Sequence, residues 1–362
     1  MHFIYRILFL FIIEDRNLVY DGDSEVIMRW KDIYSRYYAA SRFRTLSELS
    51  YVRDSRHTDV WCGLMETFRL FEDENFGSRL GIKPLGGMLF DCETLHWLKR
   101  CEISNEAMFD AFRALNVFVD EKGLIVKINY SSLDVEEFGS VYEGILEKHP
   151  VITPGTNDIP WTFDYIGGLD RQSTSSYYTR PDLVQSLIRS TLEPVIKEKI
   201  SKFSTPEEKV KALLDMKVCD AASGSGHIVL AMARTIAWYV CSIRTGEDNP
   251  ASMDYRRALH EVIQRCVYAV DFNPDAVELC KVVLWIEGYC AGKPLSFLDH
   301  HSRCGNSVVG VTDLDMLLEG VPDKAFSGDK EALKTLKKLN KKAIEEAKTL
   351  RDDAAQHGLQ VS

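Results

Sequence analysis

The stretch Lys217-Val218-Cys219-Asp220-Ala221-Ala222-Ser223-Gly224-Ser225-Gly226, followed by the largely apolar run His227 to Val240, decides how the chain is read. Lys217 to Asp220 is short and apolar, as a strand is, and the run after Gly226 has the length and spacing of a helix. Strand, glycine turn and helix together make a nucleotide-binding turn. Gly224 and Gly226 let the backbone pass close to a ligand with no Cβ in the way, and the helix amino terminus offers free N–H groups. A tight structural turn without a ligand is the plainer alternative, because short glycine motifs recur by chance.

Two ligand classes use such a turn. A dinucleotide site needs G-x-G-x-x-G, and here the last small position holds Val229. Asp220 at the strand end would repel a pyrophosphate, yet it suits the sulfonium and ammonium of S-adenosylmethionine. The D-x-x-x-G-x-G reading is therefore preferred over a nicotinamide oxidoreductase. The next strand agrees: Cys266 to Asp271 (CVYAVD) is β-rich, ends in an acid, and leads to Pro274, which is tolerated in a first helical turn. Asp271 is the candidate for the ribose hydroxyls, and capping of the Pro274 helix is its other reading. Its long gap from Gly226 requires an inserted helix, placed over Asp254 to Arg265.

Outward from this region, the chain of 362 residues is long enough for about two or three domains, and 45% hydrophobic content supplies their cores. A net charge of −10 argues against a freestanding nucleic-acid binder. Nine cysteines, none at C-x-x-C spacing, fit a reducing cytoplasm. Phe3 to Ile13 is strongly apolar, but Arg6 interrupts it and it is too short to span a bilayer, so a buried helix is expected, with no membrane partner. A chain that begins inside such a helix suggests missing upstream sequence. Up to about Pro150 the spacing is mostly helical, with a buried stripe at Val60-Trp61, Leu64-Met65, Phe68 and Phe71, and Ser104 as a cap. Gly81 to Gly87 (GIKPLGG) marks a loop, Ile125 to Tyr130 a strand, Asp134 to Glu147 a helix, and the prolines from Pro150 to Pro160 a break. Lys330 to Arg351 reads as a charged, solvated helix.

Tyr177-Tyr178-Thr179-Arg180-Pro181, Asp220 to Gly226, Asp271 to Cys280 (DFNPDAVELC), and Ser296 to His301 with Cys304-Gly305-Asn306-Ser307 occur in that order. The ordered set resembles the N6-adenine DNA methyltransferases, above all the large type IIG restriction-modification and phage-defence methylases, and Tyr5 to Arg16 and Gly139 to Glu147 resemble their helical front. The resemblance implies an α/β fold: a partial class I (Rossmann-like) methyltransferase sheet preceded by a mostly helical domain. The implied domains are residues 1–165, a cofactor-binding half over 166–311, and a charged helical extension over 312–362. It further implies that Tyr178 and Thr179 wall the cofactor, that Asp220, Ala222, Gly224 and Gly226 hold the methionine moiety, Asp271 the ribose and Asp299 the adenine amine. Ala221 and Ser223 replace the family's usual proline and cysteine, and Arg180 intrudes before Pro181.

Such enzymes flip the target base and grip its amine with an N-P-P-[YFW] or D-P-P-Y loop. This sequence has no such run. The expectation is therefore a chain that binds S-adenosylmethionine without turnover, with DNA contact and catalysis completed by a second polypeptide or a missing carboxy-terminal part. A first strand lacking its fourth-strand neighbour would keep one open edge. The other reading is a non-catalytic interaction subunit, or a gene remnant, of such a system.

Overall fold

The computed structural model describes all residues except 1, 50–53, 134–138, 140–143, 145–147, 156–161, 168–178, 250, 290–294, 309–317, 322–329 and 357–362, and the chain forms two compact units, Met1–Gly305 and Asn306–Ser362. The first is mixed α/β and mostly helical, with small sheets.

Helix α1 (His2–Asp15) is buried from Tyr5 through Ile13. A helix apolar all round belongs in a core, where each large side chain contributes roughly 1.5–3 kcal/mol of burial. Phe3 packs on Trp61 and Phe68, Phe9 on Phe90 and Trp285, and Phe11 on Phe112 and Tyr130. Arg6, the polar interruption, is fully buried; its guanidinium donates to the Glu72 carboxylate and to the carbonyls of Leu89 and Asp91, and faces the rings of Phe68 and Phe90. At the far end of α1, Glu14 accepts the N–H groups of Ala40 and Ser41, which tethers α3 (Ala40–Leu46) beyond α2 (Glu25–Tyr37).

In α4 (Asp59–Glu72) the expected stripe is the buried one, with Met65 half-buried, and α5 (Asn105–Asn116) carries Ser104 at its amino end, whose hydroxyl accepts the Ala107 N–H. The strand expected over Ile125 to Tyr130 is shorter. β1 (Val117–Val119) pairs antiparallel with β2 (Ile125–Lys127), and the ladder stops where α5 ends, Ile128 N–H donating to the Asn116 carbonyl. The helix expected over Asp134 to Glu147 lies largely outside the described residues. Pro150, read as a break, sits in β3 (Lys148–Thr153), which pairs antiparallel with β4 (Thr162–Gly167). Each strand of a two-stranded hairpin has a free edge, where proline costs no ladder bond.

Next come α6 (Pro181–Leu187), a π-helical turn over Ile188–Leu192, α7 (Glu193–Ser201), and α8 (Pro206–Leu214) with a Thr205/Glu208 capping box. Strand β5 (Val218–Asp220) leads through the glycine bend into α9 (His227–Thr245). Helix α10 (Ser252–Arg265) is the insertion expected from the spacing, and it precedes β6 (Val267–Asp271), α11 (Pro274–Glu287) and β7 (Ser302–Cys304). The three strands form a parallel sheet in the order β5-β6-β7. Among the described residues β5 pairs on one side only, and Cys219 in its middle is exposed. Helix α9 alone among the described residues is long and apolar enough to cross a membrane; its Val229, Leu230, Ala233, Ile236, Ala237 and Val240 pack in the protein core.

Helix α1 lies beside α11. His2 meets Asp275 at 3.2 Å near the start of α11, and Arg16 meets Glu287 at 3.0 Å at its end. In the second unit, α12 (Lys330–Gln356) covers the expected charged run, and the Asn340 amide exchanges two 2.9 Å hydrogen bonds with the Val321 backbone.

Removing one partner of a buried ion pair strands the other charge in the core. Arg6→Met is expected to lower unfolding stability by about 3 kcal/mol in urea denaturation. An unchanged midpoint would show that the pair with Glu72 contributes nothing.

Candidate functional site

The carboxy-terminal ends of β5 and β6 carry Asp220 and Asp271, and the bend between β5 and α9 lies against both. Asp220 Oδ1 accepts the Ala222 N–H at 3.1 Å. Asp271 Oδ2 accepts the Gly224 N–H at 2.8 Å, and its Oδ1 accepts the Asn273 N–H at 2.9 Å. Backbone bonds close the rest: Ser223 N–H to the Val270 carbonyl at 3.0 Å, Gly226 N–H to the Ser223 carbonyl at 2.9 Å, and Gly305 N–H to the Asp271 carbonyl at 2.9 Å.

Both glycines are required by the backbone. Gly224 (φ +51) has no described atom within 4 Å of where a Cβ would stand. Gly226 (φ +92) lies so close to α11 that a Cβ would stand 2.7 Å from Cys280 Sγ. Left-handed φ and that close approach both exclude a side chain. The Cys280 thiol beneath the bend is pushed up to about 12, chiefly by burial, with Asp220 and Asp271 adding to the rise, so it stays protonated and unreactive.

Asn273 settles the reading of Asp271 as a helix cap. Its side chain accepts the Asp275 N–H at 3.0 Å and caps α11, which leaves Asp271 joining bend to strand. A carboxylate offers about four lone-pair sites, and Asp271 uses one on each oxygen. Asp220 is less satisfied: its Oδ2 is buried with no hydrogen-bond partner. Burial raises the Asp220 pKa, and the negative charge of Asp271 raises it further, against the lowering by the Ala222 N–H. The bend therefore has a surplus of negative potential and an unused acceptor.

Of the other expected residues, Thr179 reaches this region through its carbonyl, which lies 3.2 Å from Nδ1 of His227, the first residue of α9. Tyr178 lies outside the described residues. Arg180 is extended ahead of Pro181, as a residue before proline tends to be, and pairs with Asp182 at the surface. Asp299 is not brought to the bend. It precedes β7, whereas the far end of β7 lies beside Asp271, and its carboxylate is bound at 2.7 Å by Lys281, which also holds Glu278. Phe272, which the motif reading passed over, is 66% exposed between Asp271 and the capping Asn273. Its signal was an aromatic residue at a strand end where no core position was due.

No family model matches the chain. A Methanocaldococcus jannaschii protein that bears the name of a type II restriction enzyme and methyltransferase is 24% identical over 186 residues, covering 40% of this chain and 15% of that protein. Among solved structures, the type IIL restriction-modification enzyme MmeI, determined in complex with DNA, is 13% identical with a TM-score of 0.45 over 84% of this chain and 38% of its own. The chain is thus a distant homologue of a protein named for restriction and methylation, and it spans less than half the length of either protein.

A raised folded-state pKa means the native protein holds the Asp220 proton more tightly than the unfolded chain does. That stability is fully present below the unfolded value of about 3.9 and is lost as pH rises through the folded value. Asp220→Asn keeps an acceptor for Ala222 and removes the repulsion with Asp271. Its melting midpoint at pH 7 is expected about 2 °C above wild type. A lower midpoint would mean that the charge on Asp220 supports the fold.

Proposed function

We propose that this chain is the S-adenosylmethionine-binding part of a DNA adenine-N6 methyltransferase from a restriction-modification or phage-defence system, working in the cytoplasm. The observation that carries the reading is the pair of carboxylates converging on one two-glycine bend, with Asp220 Oδ2 buried and unpartnered. The parallel order β5-β6-β7, with both acids at strand ends, is what one half of a Rossmann-like methyltransferase sheet would provide. Homology to a named restriction enzyme and methyltransferase supports the same class.

The residues present fit this cofactor. Asp220 would offer its free oxygen to the ammonium of the methionine moiety, with Ala222, Gly224 and Gly226 keeping the backbone close. Asp271 retains lone pairs for the two ribose hydroxyls, which need acceptors as well as donors. Phe272 would lie against the adenine ring, and Tyr178 and Thr179 would flank the site from the segment before α6. Asp299, to which the resemblance gave the adenine amine, is held by Lys281. When bound, S-adenosylmethionine supplies an electrophilic methyl group on a positively charged sulfur, and two nearby carboxylates favour that charge where they would disfavour a pyrophosphate.

The loop that grips an extruded adenine amine has no counterpart in these 362 residues. It would come from a second polypeptide or further sequence, with the edge of β5 that is unpaired among the described residues as a place for that part to pair. DNA is accordingly a partner of the completed enzyme.

Calorimetry with S-adenosylhomocysteine is expected to give one saturable site on these 362 residues, weakened about tenfold in Phe272→Ala, the scale of one aromatic stack on a base. Tritiated S-adenosylmethionine with mixed-sequence DNA is expected to leave no label on the DNA. Label transferred by this chain alone would refute its dependence on a completing part, and tighter binding of NAD than of S-adenosylhomocysteine would refute the cofactor assignment.

A further inference from the structure

Among the described residues, helix α12 meets the rest of its unit along one narrow face. Leu333, Asn340, Ile344 and Ala347 are half-buried, whereas every other residue from Lys334 to Thr349 is exposed. At about 3.6 residues per turn these four fall on one line along the helix. The backbone of the preceding turn lies on that line: the Asn340 amide holds both polar groups of Val321, and bare Gly320 packs on Ile344 with no room for a Cβ. The less polar side of α12 is therefore occupied at its middle by the chain itself, and the paired amide fixes the rotation of the helix.

The other side is basic. Lys334, Lys337, Lys338, Lys341 and Lys342 follow one another with no acid among them, until Glu345 and Glu346 end the stretch. Lys342 meets Glu346 at 3.4 Å and Lys337 is engaged, whereas Lys334, Lys338 and Lys341 make no ion pair among the described residues. Those three stand at i, i+4 and i+7, so they share one side, roughly 100–160° around the helix from Asn340. Like charges three and four residues apart destabilise a helix, and no described carboxylate offsets that cost here.

A linear polyanion would offset it. The three ammoniums span about 10 Å along the axis. Duplex DNA presents one charge per about 1.7 Å of its own axis, so ammoniums on one line reach neighbouring phosphates and release their counterions. Insertion into a lipid surface would instead need the apolar side, which is held against Gly320 and Val321. We propose that the lysine side of α12 binds the phosphate backbone of duplex DNA, positioning it without reading its sequence. The choice of DNA rests on the methyltransferase reading; the charged side itself does not. A net charge of −10 disfavours DNA over the rest of the chain, which keeps the contact local and salt-sensitive.

Fluorescence anisotropy of a labelled mixed-sequence duplex, from about 25 to 200 mM salt, tests this on wild type and on Lys334→Gln/Lys338→Gln/Lys341→Gln. Glutamine keeps helix propensity, so circular dichroism is expected to be unchanged. Wild-type affinity is expected to fall linearly on logarithmic axes. The triple variant is expected to bind more weakly, with a slope shallower by about 2.7, three phosphates at about 0.9 each. Lys334→Arg/Lys338→Arg/Lys341→Arg is expected to keep the wild-type slope. Equal slopes for wild type and the glutamine variant, or no binding by wild type at the lowest salt, would overturn the proposal. So would sedimentation of wild type with phosphatidylserine vesicles in preference to the duplex. Calorimetry with S-adenosylhomocysteine is expected to be the same for all three proteins; loss of that heat in all of them, with the difference in slope intact, would sink the cofactor reading and leave this contact standing.

Discussion

Two backbone N–H groups from different elements meet on one carboxylate, and the geometry of the bend follows from that. Asp271 takes Gly224 on one oxygen and Asn273 on the other, while its own carbonyl takes Gly305 beyond β7. One residue thus ties the bend after β5, the start of α11 and the exit of β7. The cost falls on Asp220, placed near a second negative charge with one oxygen unsatisfied. Strain of this kind persists only where the surroundings over-determine it, and it concentrates where ligands bind.

The surroundings here are the helical front. Helix α1 is apolar on every face because it is enclosed on every face, by α4, by the loop carrying Leu89 and Phe90, and by Trp285 of α11. Polar contacts then fix α11 at both ends, His2 on Asp275 and Arg16 on Glu287. The bend therefore rests on a helix clamped by residues more than two hundred positions away in sequence. The helical front is a buttress for the candidate site as well as a neighbour of it.

Local patterns carried most of this into the sequence. The glycine spacing, the acid at the end of each strand, Pro274 in a first turn and the apolar stripe of α4 each depend on residues a few positions apart, and each appears where expected. What escaped depends on partners far along the chain. Asp299 and Lys281 pair across eighteen positions, which no motif encodes. Phe272 drew no notice because exposure is a property of packing, not of pattern. Pro150 read as a break because its partner strand and the free edge that tolerates it were not visible.

The clamp on α11 has a consequence for biosynthesis. Arg16 and Glu287 are separated by 271 positions, so α1 leaves the ribosome long before α11, the last part of the surface that encloses it, exists. At about 5–20 residues per second the interval is on the order of tens of seconds. During that time the side of α1 that meets Trp285 stands without its native cover, which makes the nascent chain a natural client for chaperones that hold apolar helices until the rest of the domain arrives.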